Sequence, residues 1–461
     1  MRVLLFGINY APDLIGVAKY NAELCESLAA RGHAVRVVTA PPYYPDWTVP
    51  AEYRSIWYTR QRLHGVDITR APIYVPSRPS GAKRLIHHAS FLLSAAAPLL
   101  STAVRWRPDI VFAVAPSLLS APIAALAAKM AGAASWLHIQ DLEVDVAFEL
   151  GLLKNPAMRK LMLGLERRIL NRFDRVSTIS PQMLRSLEQR GLAPDRLRGF
   201  TNWVDTSVIV PGSNQIAFRS QLGLKPTDVV ALYSGAMSNK QGLEQIIEAA
   251  SATRNSHPSL QFVLCGNGQL KAALTELANG LGNVHFLDLQ PLERLSELLS
   301  TADIHLLPQR AQVSDLVLPS KLAGILASGR PIIAMANPGT GIALETADAG
   351  LLIGPGDGQA LVTAVIALAE DKDLRARLGA AARLRARQKW DRIAIIASLE
   401  REFLALPQRT AAAAVRPWPP ARSGRSIEQV ATGTRRRPAS ANRQAADLAR
   451  QPSSGANSGN D

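Results

Sequence analysis

Cysteine is almost absent from this chain: only Cys25 and Cys265 occur among its 461 residues. They lie far apart in sequence, each within an apolar segment, so neither a disulfide framework nor a cysteine-based metal site is indicated. Aromatic residues are also scarce, at 5% of the chain, whereas Ala and Leu are abundant. This composition favours helices packed on sheets over a sandwich of short strands, so the predicted fold class is α/β.

Several catalytic signatures are missing as well. The sequence contains no G-x-S-x-G, H-E-x-x-H or P-loop pattern, and no grouping of His, Asp and Glu has metal-ligand spacing. We therefore expect neither a bound metal nor another cofactor. No RNA-binding signature occurs, and the arginines near the C-terminus are not interleaved with stacking aromatics beyond Trp418. Nucleic acid is not the expected partner.

No segment is predicted to cross a membrane. Residues 110–128 lack charge, but two prolines interrupt them, and we interpret them as a strand, a turn and a buried helix. The apolar stretch from His87 to Trp106 is marginal in length for a span, and Pro98 is expected to divide it. The N-terminal MRVLLFGINYAP is followed by no small-residue cleavage pattern, so we interpret it as a first strand rather than as a signal peptide.

Positive charge is in excess, with a formal net charge of +15. This excess favours anionic partners, whether phosphates, acidic lipid or nucleic acid, without choosing among them. Residues 409–461 carry nine Arg and three acidic residues, a net +6. Beyond Pro407 there are too few large apolar groups to offset the entropy of folding, which predicts a disordered basic tail at 407–461.

Apolar strand-like runs alternate with helical stretches twice along the chain. The first series begins at RVLLFGI and ends at RVSTIS, and the second begins at VVALYSG. Strands separated by helices pair in parallel through right-handed crossovers, so each series predicts a doubly wound, Rossmann-like sheet. The predicted division is a first domain at 1–205, a linker at 206–227, a second domain at 228–389, a final helix at 390–406 that can pack back on the first domain, and the tail at 407–461.

Glycines follow several predicted strands, which is where ligands bind in α/β folds. Gly16 lies in GINYAPDLIGVAKY just before a helix, where backbone amides can approach a phosphate or a sugar. Gly235 and Lys240 lie in YSGAMSNKQGLEQ, and this lysine can meet a diphosphate. Gly266 and Gly268 form a similar loop in CGNGQL. Each glycine is also explained as a loop residue that needs a positive φ, and the lysine as a solvated one.

The segment SDLVLPSKLAGILASG is the most informative of these loops. Asp315 precedes an apolar turn, and Ser320 and Lys321 occupy the first turn of a helix predicted to end at Gly329. A lysine at this position opposes the helix dipole, so it requires an anion or another compensation. Because helix N-termini bind anions, ligand contact is favoured here over a plain surface role.

A titratable cluster ends a buried strand of the first series. WLHIQDLEVD contains His138, Asp141, Glu143 and Asp145. At the carboxyl end of a strand inside a cleft, His138, Asp141 and Glu143 are candidate catalytic residues. The alternative is a structural histidine beside solvated carboxylates.

Taken in order, these segments resemble glycosyltransferase family 4, of the GT-B fold, over residues 1–406. The combination of INYAPDLIGVAKY, PPYYPDW, QDLEVD, NWVD and VLPSKL is most similar to its colanic-acid and exopolysaccharide branch. The resemblance implies two Rossmann-like domains facing a central cleft, with the acceptor in the first and the donor in the second. It also implies that a sugar moves, with retention and without a metal, from a GDP- or UDP-linked donor to a lipid-diphosphate-linked glycan.

The resemblance also assigns roles to single residues. It implies that Gly16 lies near the donor phosphates or sugar, and that His138 lies near the transferred sugar. Lys240 matches the donor-diphosphate lysine of the family. The arginine that usually accompanies it is replaced by Ala236, so Lys240 is expected either to carry more of the charge or to share it with Lys321.

A pair of glutamates that is usual in the family is missing. Aligning GILASG with the family's E-A-M-x-x-G-like helix puts Gly324 and Leu316 at the two glutamate positions. Asp315 is adjacent to the first position and is the available substitute. The family's mode of holding the donor ribose is therefore not transferred to this chain.

Two other functions remain open, because fold does not fix reaction. One is a nucleotide-sugar epimerase on the same scaffold, and the other is a non-enzymatic membrane- or RNA-binding scaffold that depends on the tail. Lys83, Arg84, His87 and His88 precede an apolar stretch, and basic residues near anionic lipid contribute about 1 kcal/mol each. We therefore expect a cytoplasmic protein that contacts anionic lipid of the inner membrane peripherally, the alternative being a buried helix with a basic start.

Overall fold

The computed structural model describes residues 1–406 apart from 14–15, 79, 116–117, 143–155, 213–215, 240 and 311–318. The tail predicted at 407–461 lies outside the described residues. Within them the chain forms two sheets, each covered by helices. The predicted α/β class with two Rossmann-like sheets is confirmed.

The first sheet has eight strands in the order β3-β4-β2-β1-β5-β6-β7-β8. All neighbouring pairs are parallel except β3 with β4, which is antiparallel. The strands are β1 Arg2–Phe6, β2 Ala34–Thr39, β3 Thr59–Leu63, β4 Val66–Arg70, β5 Ile110–Ala115, β6 Ala134–Ile139, β7 Arg175–Thr178 and β8 Leu197–Gly199.

The second sheet has six parallel strands in the order β11-β10-β9-β12-β13-β14. This is the order of a doubly wound dinucleotide-binding fold, in which ligands bind at the carboxyl ends of the strands. The strands are β9 Val229–Ser234, β10 Leu260–Cys265, β11 Val284–Leu287, β12 Ile304–Leu307, β13 Ile332–Met335 and β14 Gly350–Ile353.

Helices connect most of these strands. In the described part of the chain they are α1 Val17–Ala30, α2 Gly81–Trp106, α3 Ala121–Ala131, α4 Pro156–Leu170, α5 Pro181–Gln189, α6 Ile216–Gln221, α7 Glu244–Thr253, α8 Lys271–Leu277, α9 Leu295–Thr301, α10 Lys321–Ala327, α11 Gly341–Thr346, α12 Gly358–Glu370, α13 Lys372–Lys389 and α14 Arg392–Ala405.

Both faces of the first sheet are buried. Leu4 and Phe6 of β1 lie in one apolar cluster, which includes Phe91 of α2, whereas Val3 and Leu5 lie in another on the opposite face. Successive side chains of a strand point to opposite faces, so a strand covered on both sides is a continuous apolar run. This explains why RVLLF is recognisable from sequence as a central strand.

The prediction that Pro98 divides the apolar stretch before Trp106 is wrong. Pro98 lies inside the continuous 26-residue helix α2. Proline lacks the N–H that would bond the carbonyl of residue i−4, which here is Ser94. The hydroxyl of Tyr58 donates to that carbonyl at 2.8 Å and satisfies it from outside the helix.

By length and composition alone, α2 is also apolar enough to cross a membrane. One of its faces is nevertheless fully buried against the first sheet, through Phe91, Ala95, Leu99 and Ala103. These contacts make α2 a core helix of the first sheet whose other face is exposed.

The last helix returns to the first sheet. Phe403 of α14 lies with its ring centroid 5.6 Å from that of Phe112 and 5.2 Å from that of Trp136. A helix that follows the second sheet in sequence therefore completes the core of the first. The strands of the two sheets fall within 2–199 and 229–353, while the domain boundaries given above stay predictions.

Candidate functional site

The glycine loops of the second sheet stack backbone against backbone. The amide of Gly235 donates to the carbonyl of Cys265 at 2.9 Å, and that of Met237 donates to Asn267 at 2.9 Å. A Cβ on Gly266 would lie 1.9 Å from the Gly235 carbonyl oxygen. A Cβ on Gly268 would lie 2.3 Å from the Met237 carbonyl oxygen. Close approach of the two loops is therefore sufficient to explain these two glycines, and their predicted contact with a ligand stays a prediction.

Lys321 lies under the first of these loops. Its ammonium nitrogen is 4.1 Å from the centroid of the Tyr233 ring, and a Cβ on Gly235 would lie 3.3 Å from it. In the part of the chain that the structure describes, no carboxylate forms an ion pair with this lysine. Burial lowers the pKa of Lys321 to about 7. An amine that lies beside an aromatic face, with no carboxylate paired to it among the described residues, is suited to an anionic ligand that favours its protonated form.

The remaining predicted donor-side residues are only partly described. Ser320 is exposed immediately before α10, and its hydroxyl makes no capping hydrogen bond. Lys240 and Asp315 lie outside the described residues. The structure thus brings Gly235, Gly266 and Lys321 together, whereas the roles of Lys240 and Asp315 in donor binding stay predictions.

Arg310 belongs to the same edge of the sheet and was not predicted. It follows β12, and its guanidinium donates from Nε to the Asn239 carbonyl at 2.7 Å and from Nη2 to Glu244 at 2.5 Å. These bonds tie the loop after β12 to the loop after β9, which contains Lys240. A single arginine after a strand carries no sequence signal for such a bridge.

In the first sheet, Gly16 lies just before α1. Its φ of +65° favours glycine, and a Cβ there would meet no described atom within 4 Å. No acidic side chain occupies the first turn of α1, and no side chain caps it. The positive φ explains Gly16 as a loop residue, and the predicted approach of a phosphate or sugar to it stays a prediction that this geometry allows.

His138 lies inside β6 and is only 2% exposed. Its Nδ1 is 2.9 Å from the Ser177 hydroxyl, and its Nε2 is 2.8 Å from the side-chain amide nitrogen of Gln140. Burial lowers the pKa of His138 to about 3, so the ring is neutral. Because the Gln140 amide donates to Nε2, Nδ1 carries the proton. The structure gives this predicted catalytic residue two protein partners rather than an open face.

The chain of hydrogen bonds from His138 continues outward. The amide nitrogen of Gln140 also donates to Asn202 at 3.1 Å, within the NWVD segment. Asp141 follows directly and is exposed at the carboxyl end of β6. Of the predicted catalytic residues, Asp141 is therefore the one the structure presents at the surface, and Glu143 lies outside the described residues.

Two family descriptions match this chain. Residues 16–203 match the Glycosyl transferase 4-like domain, and residues 214–385 match Glycosyl transferases group 1. The colanic acid biosynthesis glycosyl transferase WcaI of Escherichia coli K12 is 43% identical over 336 residues, which cover 71% of this chain and 82% of that protein. The chain belongs to glycosyltransferase family 4. The resemblance inferred from the sequence is confirmed, and the protein is a glycosyltransferase.

A more distant relative is also a glycosyltransferase. The GDP-mannose-dependent monoacylated α-(1-6)-phosphatidylinositol monomannoside mannosyltransferase of Corynebacterium glutamicum is 26% identical over 281 residues, covering 59% of this chain and 71% of that protein.

Solved structures confirm the GT-B fold. Sucrose-phosphate synthase from Thermosynechococcus elongatus has a TM-score of 0.66 at 18% identity, covering 88% of this chain and 98% of that one. HepE of Anabaena in complex with UDP has a TM-score of 0.63 at 17% identity, and the match covers 88% of this chain and 100% of HepE. At this level of identity the likeness concerns the fold alone.

Proposed function

We propose that this glycosyltransferase moves a sugar, with retention at the anomeric carbon, from a GDP- or UDP-linked donor to a lipid-diphosphate-linked glycan during synthesis of a colanic-acid-type exopolysaccharide. The observation that carries the proposal is 43% identity to a colanic acid glycosyl transferase over 82% of that protein's length. Glycosyltransfer itself follows from the family, so the proposal concerns the donor, the acceptor and the pathway.

The donor belongs, on this proposal, to the second sheet. Lys321 supplies a cation beside the Gly235 loop, where a diphosphate can accept hydrogen bonds from it. One relative is named as GDP-mannose-dependent, which supports a GDP-linked donor. HepE, whose likeness to this chain is in the fold, is described in complex with UDP. We therefore keep both GDP- and UDP-sugars as candidate donors.

The departing diphosphate gains negative charge as the glycosidic bond to the sugar breaks. Lys321, together with Lys240, is proposed to stabilise that charge, because preorganised cations act most strongly on charge that develops in the transition state. A metal ion performs this task in other enzymes, and here the two lysines are proposed to perform it instead. The proton of the acceptor hydroxyl passes to the departing phosphate, so no general base is assigned.

The acceptor is proposed to reach the enzyme from a membrane. Ile86, Leu93 and Val104 lie along one exposed line of α2, since residues 7 and 11 positions apart share a helix face. The Tyr58 hydroxyl bonds the Ser94 carbonyl of this face, which brings the loop carrying exposed Ile56 and Trp57 beside it. We call these exposed apolar side chains of α2 and the 56–58 loop the α2 patch.

The positive charge of the sequence around α2 supports anionic lipid as the partner of the α2 patch. No Asp or Glu occurs from residue 68 to residue 108, whereas that stretch contains six Lys and Arg. Lys83 and Arg84 lie in the exposed first turn of α2. Basic residues beside an apolar surface attract anionic headgroups, so we propose peripheral attachment at the inner face of the cytoplasmic membrane.

The test of the donor is thermal unfolding of the protein with GDP-, UDP-, dTDP- and CMP-sugars, because a ligand that binds the native state raises its apparent stability. We expect one nucleotide class to stabilise the wild type, and Lys240→Ala and Lys321→Ala to lose that stabilisation. The matched control is Lys225→Ala, since Lys225 is exposed and precedes β9 at the opposite edge of the sheet.

Other outcomes favour the two alternative functions. Stabilisation by a nucleotide sugar whose sugar is converted without any lipid-linked glycan would indicate an epimerase. No shift with any nucleotide sugar, combined with loss of membrane or RNA binding after deletion of residues 408–461, would indicate a scaffold.

A further inference from the structure

The second sheet has a cavity at the edge opposite the glycine loops. The cavity has a volume of about 550 Å³ and lies beside Val229, the first residue of β9, and Asp303, which precedes β12. Because the strands of this sheet are parallel, their amino ends lie at one edge and the glycine loops lie at the other. The residues of β9 from Val229 to Ser234 separate the two edges by about 17 Å.

Charged side chains from several elements line this cavity, which we call the amino-edge cavity. They are Arg219 of α6, Asp228 before β9, Asp303 before β12, and Lys372 and Arg375 in the first turn of α13. Its volume lies within the range of about 300–1,000 Å³ that is typical of small-molecule sites. A lining rich in charged groups favours a polar ligand over an apolar one.

Both carboxylates of the amino-edge cavity already have partners. Asp303 forms an ion pair with Arg219 at 2.6 Å and accepts the backbone amide of Val230 at 2.9 Å. Asp228 accepts the backbone amide of Lys225 at 2.7 Å. The negative charge is therefore balanced by Arg219 and by backbone donors, rather than by the cations of α13.

The two cations of α13 are not neutralised in the same way. Among the described residues, no carboxylate forms an ion pair with Lys372 or Arg375. Lys372 is exposed. Arg375 donates from Nη1 to the carbonyls of Leu368 and, at 2.8 Å, Ala369, while its Nε and Nη2 bond no described residue. An ammonium and a guanidinium with available N–H groups at one cavity are suited to an anionic ligand.

A third arginine adds positive charge nearby. Arg330 is half-buried two residues before β13. Burial lowers the pKa of Arg330, the charge of Asp303 opposes this shift, and the charges of Arg219 and Arg375 add to it. Like charges thus act on one another around the amino-edge cavity, and a bound anion would relieve that repulsion.

Phosphate is the anion that these groups suit best. Guanidinium and ammonium groups together can bind several oxygens of one phosphate. Ser220 and Thr227 are exposed and line the same cavity, so their hydroxyls are available to the hydroxyls of a sugar or a ribose. A free phosphate ion is only a few times the size of a water molecule, which takes about 30 Å³. The larger volume of the cavity favours a phosphate that carries an organic group.

We propose that the amino-edge cavity binds a phosphate monoester the size of a sugar phosphate or a nucleotide, with its phosphate held by Lys372 and Arg375. The site is separate from donor binding at the carboxyl ends of the same strands. It goes beyond the proposed function, because none of its residues belongs to the groups that are predicted to bind the donor or the acceptor.

The test is hydrogen–deuterium exchange of the full chain, measured by mass spectrometry during titration with glucose 6-phosphate, AMP or inorganic phosphate at constant ionic strength. Peptides of residues 219–229 and 371–376 report the amino-edge cavity, and peptides of residues 260–271 report the donor edge. We expect at least one of the two monoesters to slow exchange at the cavity, and inorganic phosphate to do so more weakly. The monoester that binds more tightly distinguishes a sugar phosphate from a nucleotide.

Two exposed substitutions should weaken this binding without unfolding the protein. Lys372→Glu reverses a charge, and an acidic residue in the first turn of a helix is favourable, so the variant should fold. Thr227→Asp places a carboxylate at the exposed wall of the cavity. We expect each to raise the ligand concentration for half-maximal protection about tenfold.

Arg377→Glu is the matched control for Lys372→Glu. Arg377 is exposed on the same helix and does not line the amino-edge cavity. The charge change is identical, so an effect of overall charge alone would appear in both variants. We expect the control to stay within about twofold of the wild type, because solvent and salt screen a charge outside the site.

Four results would overturn the proposal. The first is unchanged exchange at the cavity with all three compounds, and the second is equal weakening by Lys372→Glu and Arg377→Glu. The third is inorganic phosphate protecting the cavity as well as both monoesters do, which would mean that only the free ion binds. The fourth is loss of protection at the cavity in Lys321→Met, which would assign the effect to the donor edge.

Discussion

The side-chain nitrogen of Lys321 lies 4.1 Å from the centre of the Tyr233 ring, and a Cβ on Gly235 would lie 3.3 Å from it. Burial lowers the pKa of this lysine to about 7, against 10.5 in an unfolded chain. The charged form is therefore disfavoured in the folded protein, and native stability gains as pH rises from about 7 towards 10. An anionic ligand beside Lys321 favours the charged form of the lysine instead.

Donor binding should consequently take up a proton. At pH 8 the free lysine is largely neutral, and a diphosphate beside it favours the charged form. We expect the affinity of the wild type for a nucleotide sugar to decrease as the pH is raised from about 6 to about 9. Titration calorimetry in buffers of different ionisation enthalpy measures the proton directly, and a nucleotide sugar avoids the terminal phosphate titration of a free nucleotide.

Two variants act as controls for this titration. Lys321→Met removes the titrating group, and Lys321→Arg keeps a charge that does not titrate in this range. Both should abolish the proton uptake, and only the arginine variant should retain affinity. Equal proton uptake in Lys321→Met and the wild type would assign the titration to another group.

Substitution of Gly266 or Gly268 should destabilise the protein even without a donor. An alanine Cβ would lie 1.9 Å or 2.3 Å from a backbone carbonyl oxygen of the neighbouring loop, and both glycines have φ near +150°. We expect each alanine variant to lose at least about 2 kcal/mol of unfolding free energy, measured by urea denaturation.

Gly282→Ala is the matched control for those variants, because a Cβ there would meet nothing within 4 Å. Normal stability in Gly266→Ala, combined with lost donor binding, would instead support the prediction that these glycines contact the ligand.

The sequence patterns located most central strands but not the edges of the sheets. β1, β5 and β10 are apolar runs buried on both faces, and such runs are visible without a structure. β3 is TRQRL and largely exposed, so it has no apolar signal; its pairing with β4 supplies its stability. Edge strands depend on their neighbours, which sequence periodicity does not report.

The candidate site shows the same division. Lys321 was recognised because a lysine in the first turn of a helix is electrostatically unusual, and its compensation by Tyr233 required the tertiary structure. Arg310 gave no local signal, because its significance lies in contacts between loops far apart in sequence. The prediction that Pro98 interrupts a helix was wrong for a related reason. The Tyr58 hydroxyl that bonds the free Ser94 carbonyl comes from outside α2, so sequence alone does not show it.

Substitutions of His138 and Asp141 should distinguish a structural role from a catalytic one. His138→Ala leaves the side chains of Ser177 and Gln140 without their buried partner, which costs about 1–3 kcal/mol of unfolding free energy. Asp141→Asn changes an exposed carboxylate, so its effect on the unfolding free energy should be smaller, below about 1 kcal/mol. If Asp141 acts in catalysis as predicted, kcat falls in the Asn variant while the melting temperature does not. Lost activity in a stable His138→Ala protein would support the prediction that the histidine acts in catalysis.

The α2 patch should determine membrane attachment. Leu93 is 77% exposed and Trp57 is 73% exposed, on neighbouring segments joined by the Tyr58 hydroxyl. Leu93→Ser and Trp57→Ser should each weaken flotation with phosphatidylglycerol vesicles by about tenfold, because each removes apolar surface that enters the lipid. Lys83→Ala should weaken it less, by about 1 kcal/mol, and only at low salt.

The control for this experiment is Leu384→Ser, since Leu384 is 56% exposed on α13, which follows the second sheet in sequence. Vesicles of phosphatidylcholine alone test the charge contribution, because they lack anionic headgroups. If attachment depends on apolar insertion together with charge, the wild type binds anionic vesicles and the Leu93→Ser and Trp57→Ser variants bind them more weakly. The Leu384→Ser variant then behaves like the wild type. Equal loss in all three serine variants would mean that exposed apolar surface in general, and not the α2 patch, drives association with lipid.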